Sequence, residues 1–242
     1  MKILYSNIHL RDNPGIMEIF TILFFYFIFF TGALWHILDR FQPIMKGASG
    51  PLLLFCIGLV IIETSLKNPK ANNGRFFLWF FVSALAGWLI ELLGSTTGIP
   101  FGDYMYSAIL QPQFLNVPIS VAFSWPLICY ASLFLARSIL DLLNLKESRW
   151  YVYLLIGISL IWILLFDITM EPSAVILHYW TWKTDSIPIQ NYLAWTGFAL
   201  IVNAIGIRIK IHKMPLATLA VHFYFSQIVY FGLIRLFKGG VI

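Results

Sequence analysis

The sequence predicts an all-α, polytopic membrane bundle of about seven transmembrane helices. Three observations lead there: a composition too apolar for a soluble domain, long unbroken apolar runs, and a biased placement of basic residues between them. The 242-residue chain is 60% hydrophobic and 11% charged, where a soluble domain carries about 25% charged residues. Mean hydropathy is +0.81. Apolar runs stand at 17–38, 50–66, 76–94, 117–136, 151–170, 192–208 and 214–237. About 20 helical residues cross the hydrocarbon core of a bilayer, so the second and sixth runs are short. Strict alternation of apolar and polar residues is absent, which argues against a membrane barrel. No internal repeat or linker divides the chain, and 1–242 reads as a single integral membrane domain.

Each element follows from its flanks. The first run is longer than a signal-peptide core and is followed by "HILDRF", so it reads as an uncleaved span. With seven spans, eleven of the sixteen basic residues fall on the side of the N-terminus: Lys2, Arg11, Lys67, Lys70, Arg75, Arg137, Lys146, Arg149, Arg208, Lys210 and Lys213. The opposite side holds Arg40, Lys46, Lys183, Arg235 and Lys238. The basic side is expected to be cytoplasmic, which puts the N-terminus in and the C-terminus out. The net charge of +5 then records topology and gives no reason to expect a nucleic-acid partner. Cys56 and Cys129 both lie in apolar runs and read as buried thiols.

Acidic residues at membrane depth are costly and usually functional. The third and fifth spans run toward the outer side. Glu91 lies near the outer end of the third, and Asp167 and Glu171 lie four apart on one face of the fifth. Pro172 is expected to end that helix at Glu171. Asp103 sits in the outer connection 95–116, so four acids from three segments are expected to converge on one leaflet. Glu63 belongs to the inner end of the second span, beside Lys67, and reads as structural. Trp88 and Gly87 share a helical face with Glu91. The connection after the fifth span is dense in Tyr179, Trp180 and Trp182, which serve either an interfacial belt or the stabilisation of a cation by ring faces.

Several chemistries lack their motifs. The five histidines, His9, His36, His178, His212 and His222, form no HxxxH, HxxHH or HExxH cluster, and no metal site is expected. There is no DDxxD diphosphate motif, no mid-span lysine in the last run for a retinal Schiff base, and no Walker or GxGxxG loop. Pro126 is expected to kink the fourth span.

The segments "ELLGSTTGIPFGDYMY" (91–106), "VPISVAFSWPLICYA" (117–131) and "FDITMEPSAVILHYWTW" continuing to "IPIQNYLAW" (166–195) resemble the membrane carotenoid 1,2-hydratase family. The family pattern maps onto Glu91, the turn Gly98–Tyr106, Asp167, Glu171-Pro172, Trp180 and Trp182, and Pro188, Asn191 and Trp195. Where the family has Asp-Pro this chain has Glu171-Pro172, which puts the role of Glu171 in question. The resemblance covers roughly 85–200. It implies water addition across the terminal isopropylidene C=C of an acyclic or monocyclic carotenoid of the lycopene, γ-carotene or bisanhydrobacterioruberin kind, in a prokaryotic cell membrane.

The residues suit that chemistry on their own terms. Alkene protonation needs a carboxylic acid that keeps its proton, as dry surroundings allow. The resulting tertiary carbocation needs aromatic faces and a second carboxylate. No cofactor is required. The expected catalytic set is Asp167, Glu91, Glu171 and Asp103, with Asp167 as proton donor and Glu91 as base, or the reverse. Trp88, Phe101, Tyr104, Tyr106, Trp180, Trp182 and Asn191 are expected to bind substrate. The same acids would also serve a proton-coupled transporter, a cofactor-free carotenoid cyclase or isomerase, or, if idle, a pigment-binding subunit.

Overall fold

The computed structural model describes residues 15–68, 70–184, 186–215 and 218–239, without the side chains of 70–72. Lys2, His9 and Arg11 lie outside the described residues, as does the Lys70 side chain. Among the described residues seven long helices follow one another: α1 (Ile16–Ile37), α2 (Gln42–Lys67), α3 (Lys70–Thr97), α4 (Ile119–Leu142), α5 (Tyr151–Ile176), α6 (Ile189–Arg208) and α7 (Thr218–Lys238). A short 3-10 turn, Ile211–Lys213, separates the last two. The all-α membrane fold is as expected.

Six of these helices are long and apolar enough to cross a bilayer. The remaining one, α6, has 20 residues, which at about 1.5 Å per residue matches the hydrocarbon thickness. It turns Asn191 and Asn203 inward, which lowers its hydropathy. The second run starts earlier than its apolar residues suggest, because Pro43 in the first turn of α2 opens the helix ahead of them.

Packing places α4 at the centre. Its span is by far the most buried, and α2, α3, α5, α6 and α7 all touch it. Polar clips hold the ring, as in membrane bundles where hydrophobicity does not drive helix association. Asn203 of α6 donates to Ser132 of α4 at 3.3 Å and to Ser159 of α5 at 3.0 Å. The Trp79 indole of α3 donates to the Val202 carbonyl at 3.0 Å, and Ser173 of α5 to the Phe231 carbonyl at 2.7 Å.

One expectation fails. Helix α5 does not stop at Glu171 but runs through Pro172 to Ile176. Proline removes the N–H that would reach four residues back, and the carbonyl so released, on Ile168, accepts from the Arg235 guanidinium of α7 at 3.1 Å. A tertiary partner thus compensates what local preference predicts as a stop. The second outer connection shortens accordingly, to 177–188, while the first nearly keeps its length. They also pair: β1 (Tyr104–Tyr106) runs antiparallel to β4 (Trp180–Trp182), and β2 (Gln113–Phe114) folds back on β3 (Val117–Pro118). The β2–β3 turn uses Leu115 and Asn116, both at positive φ, as a two-residue hairpin of the primed type requires.

Candidate active site

The site is built by a period of two. Strand β1 reads Tyr-Met-Tyr and β4 reads Trp-Thr-Trp, with Tyr104 opposite Trp182 and Tyr106 opposite Trp180. Alternate side chains of a strand share a face, so all four large aromatics point one way while Met105, opposite Thr181, points outward and is exposed. Ring centroids lie 5.1 Å apart for Tyr104 and Trp182 and 5.7 Å for Tyr106 and Trp180.

The preceding turn sets this ribbon down on α3. A Cβ at Gly94, one turn beyond Glu91, would overlap the Phe101 ring and lie 3.2 Å from the Tyr104 hydroxyl. Gly98 and Gly102 take φ of +75° and +108°, values that a residue with a side chain rarely adopts. The glycines of the turn therefore decide how closely the aromatic roof approaches the acid. Gln190 of α6 ties the turn down by donating to the Pro100 carbonyl at 2.5 Å.

Two glutamates receive the donors of this roof. The indole N–H groups of Trp180 and Trp182 both donate to Oε1 of Glu171, at 2.7 and 2.9 Å. The Tyr104 hydroxyl donates to Oε2 of Glu91. Burial, with the Glu91 charge adding to it, pushes the Tyr104 and Tyr106 phenols far above the ordinary tyrosine range, so both remain O–H donors. Glu91, Asp167 and Glu171 are all buried. Among the described residues no lysine, arginine or histidine is paired with any of them. Asp167 lies one turn before Glu171, close enough for its charge to act on both glutamates. Neither of its carboxyl oxygens has a hydrogen-bond partner among the described residues.

Glu91 and Glu171 open into one apolar cleft with a volume of about 150 Å³. Trp125 of α4 and Trp195 of α6 form a wall, stacked at 3.6 Å and 10°, and Phe101 backs Trp195 at 4.8 Å and 19°. The cleft continues between α1, α2 and α7.

Of the residues expected from sequence, Glu91, Glu171, Tyr104, Tyr106, Trp180, Trp182 and Asn191 meet at the cleft. Asp167 and Phe101 stand behind its wall, buried but not bordering it. Two residues fall elsewhere. The Asp103 side chain is half exposed and paired with Lys183 at 3.5 Å, because it projects from the open side of the ribbon's rim. So three acids converge, not four. Trp88, expected on the face of Glu91, instead stacks on Phe114 of β2 at 5.3 Å, outside the cleft; the roughly 60° between positions three apart on a helix is enough to carry it to the β2–β3 hairpin. Trp125 and the α1, α2 and α7 walls escaped the sequence reading. An aromatic in an apolar span carries no signal of its own, although the Trp125-Pro126 pair falls in one of the segments that resembled the family.

Among the described residues no three His, Cys, Asp or Glu side chains group as metal ligands. Comparison with known proteins gives two matches. A family model described as "Carotenoid biosynthesis protein" matches residues 50–242. The bisanhydrobacterioruberin hydratase of Haloarcula japonica is 32% identical over 111 residues, which cover 44% of this chain and 36% of that protein. The matched part is thus well under two thirds of the relative's length. No solved structure matches.

Proposed function

The chain belongs to the carotenoid biosynthesis protein family, and on that premise we propose that it is a hydratase acting on the terminal isopropylidene double bond of an acyclic carotenoid end. One observation carries the reading: Glu91 from α3 and Glu171 from α5 face the same apolar cleft, each held by aromatic donors and neither neutralised by a cation among the described residues. The name of the Haloarcula relative points the same way.

The roles follow from the hydrogen bonds. A proton donor must touch the alkene, and Asp167 does not border the cleft. The donor is therefore Glu91, one of the two assignments the sequence leaves open, and Glu171 takes the part of base. Tyr104 donates to Oε2 of Glu91, and Tyr106 also bonds this carboxyl, so Glu91 is held in place to carry the proton. Transfer to the CH carbon of the isopropylidene group leaves a tertiary cation on the dimethyl carbon. Aromatic faces stabilise such a cation by about 0.5–2 kcal/mol each, and the tyrosine and tryptophan rings supply them. Glu171, with two indole N–H groups on one oxygen, is set up to hold negative charge opposite the cation. Water attacks the cationic carbon, its second proton passes to Glu171, and the product is a tertiary alcohol. Return of that proton from Glu171 to Glu91 restores both groups and closes the cycle, and the net change is the gain of one water. Asp167, whose charge reaches both glutamates, acts on their proton balance as a positioning residue.

Size agrees with this reading. A cavity of about 150 Å³ is enough for benzene, so the cleft suits one chain end and a water, not a whole polyene. The remainder of a carotenoid then lies in the bilayer, and the protein works as a multi-pass enzyme of the cell membrane. The test is expression in cells that accumulate lycopene or γ-carotene. The expected product is heavier by one water, and Glu91→Gln and Glu171→Gln abolish it. A product of unchanged mass would make the protein a cyclase or isomerase. Proton flux in liposomes without pigment chemistry would make it a transporter.

A further inference from the structure

The wing of the cleft farthest from the glutamates is not used by the chemistry above. It is walled by α1, α2 and α7, with Gly32, Met45, Leu52 and Tyr230 among its lining. The polar groups there are bonded within the protein: the Tyr179 and Tyr230 hydroxyls lie 3.0 Å apart, Ser49 donates to the Met45 carbonyl and Gln227 to the Phe223 carbonyl, so the wall presents mostly ring faces and alkyl groups. Leu52 is 38% exposed and also lines the cleft, which puts an opening on the flank of an apolar helix, where lipid tails would lie.

A volume of about 150 Å³ spread over walls from α1 to α7 is a narrow slot. Gly32 is where α1 comes close to Met45 and Tyr230. A Cβ there would lie 3.3 Å from Cε of Met45 and 3.5 Å from Cε2 of Tyr230. One added atom would already sit closer than ordinary contact to Met45, so a chain passes here only as Met45 gives way, and a larger side chain at 32 would keep the passage shut. The residue opposite, Met45, is a flexible thioether able to adjust to a chain lying against it.

We infer that the slot between α1, α2 and α7 is the track by which the terminal part of the polyene chain passes from the bilayer to Glu91 and Glu171, the rest of the chain staying in the bilayer, and that Gly32 with Met45 and Tyr230 gauges its width. The identity of the ligand rests on the function proposed above; the track itself rests on the walls. A slender, linear conjugated chain threads the gauge from the bilayer. A chain bearing a ring or bulky branch near the reacting end does not. The gauge thus selects which end of an asymmetric carotenoid reaches the acids, independently of the chemistry there.

The experiment separates binding from turnover. The full chain is purified in detergent from cells making a linear carotenoid, and the bound pigment is read by its visible absorbance per mole of protein. It is done for wild type, Gly32→Leu, Met45→Trp and Glu91→Gln. Gly32→Leu and Met45→Trp, which narrow the slot from opposite walls, are each expected to lower bound pigment by about tenfold, equivalent to about 1.4 kcal/mol. Glu91→Gln is expected to keep pigment while losing hydration. Met45→Trp leaves α1 untouched and stands in should Gly32→Leu not fold, as judged by circular dichroism. Wild-type pigment levels in both folded narrowing variants would overturn the track. A protein that binds pigment in a Gly32-dependent way yet forms no hydrated product would retain the track and refute the hydratase.

Discussion

The two ends of the bundle treat carboxylates in opposite ways. At one end, Glu63 of α2 is bonded to Lys67 at 2.7 Å and accepts the Leu219 N–H at 2.9 Å, at the start of α7. Lys67 also reaches Glu18 at 3.0 Å. At the other end, Glu91 and Glu171 receive phenol and indole donors and, among the described residues, no cation, and Asp167 receives no donor there. An acid that joins helices is given a cation and a backbone N–H. Acids left without a cation, in an apolar cleft, are exposed to whatever enters it. Burial alone does not distinguish the two ends, since Glu63 is buried as well; the partner set does.

The contrast is broken most severely by removing the cleft carboxylates. Glu91→Gln and Glu171→Gln keep shape and hydrogen bonding but remove proton transfer, and each is expected to lower hydration by about 10²–10⁴-fold, the usual contribution of a general acid or base. Pigment extracted from cells and weighed by mass spectrometry reads the loss. Full conversion by both variants would remove the two glutamates from the reaction.

A smaller loss is expected from the roof. Trp180→Phe and Trp182→Phe each delete one N–H to Glu171 and keep the ring. Hydrogen bonds to charged groups contribute about 1.5–3 kcal/mol, so each variant should lose about 10–100-fold in hydration while still binding carotenoid. If tryptophan acts only as an apolar wall, phenylalanine will restore full activity. Asp167→Asn belongs with these: as a residue that touches no substrate, it should retain activity measurably above that of Glu91→Gln.

Much of this was legible in the chain. Runs of apolar residues gave the helices, and helical spacing with span direction brought Glu91, Asp167 and Glu171 to one end. Tyr-x-Tyr and Trp-x-Trp were visible as aromatic clusters, but their pairing into a ribbon was not, because strands of three residues in a turn-rich loop carry too short a pattern to fix register. Pro172 misled because its compensation comes from Arg235, 63 residues away, and no local rule contains it. Asp103 looked like its neighbours in sequence and differs from them only in facing Lys183 and solvent. The slot walls in α1 and α2 were invisible, since an apolar residue facing a cleft and one facing lipid read alike.

The opposite end offers the smallest effects on chemistry and the sharpest control. Glu63→Gln removes the charge that Lys67 pairs with and weakens the acceptor for the Leu219 N–H, at an expected cost of about 1–3 kcal/mol in stability. Thermal unfolding in detergent should show it, while hydration per folded molecule stays at the wild-type level. Lys183→Ala marks the lower limit. The Lys183–Asp103 pair has both side chains more than half exposed, and exposed pairs contribute about 0–1 kcal/mol, so neither stability nor turnover should move beyond that. If Lys183→Ala instead lowered hydration as far as Trp180→Phe does, the rim of the ribbon would have to be counted as part of the site, and the division between acids held by cations and acids held by aromatic donors would no longer separate structure from chemistry.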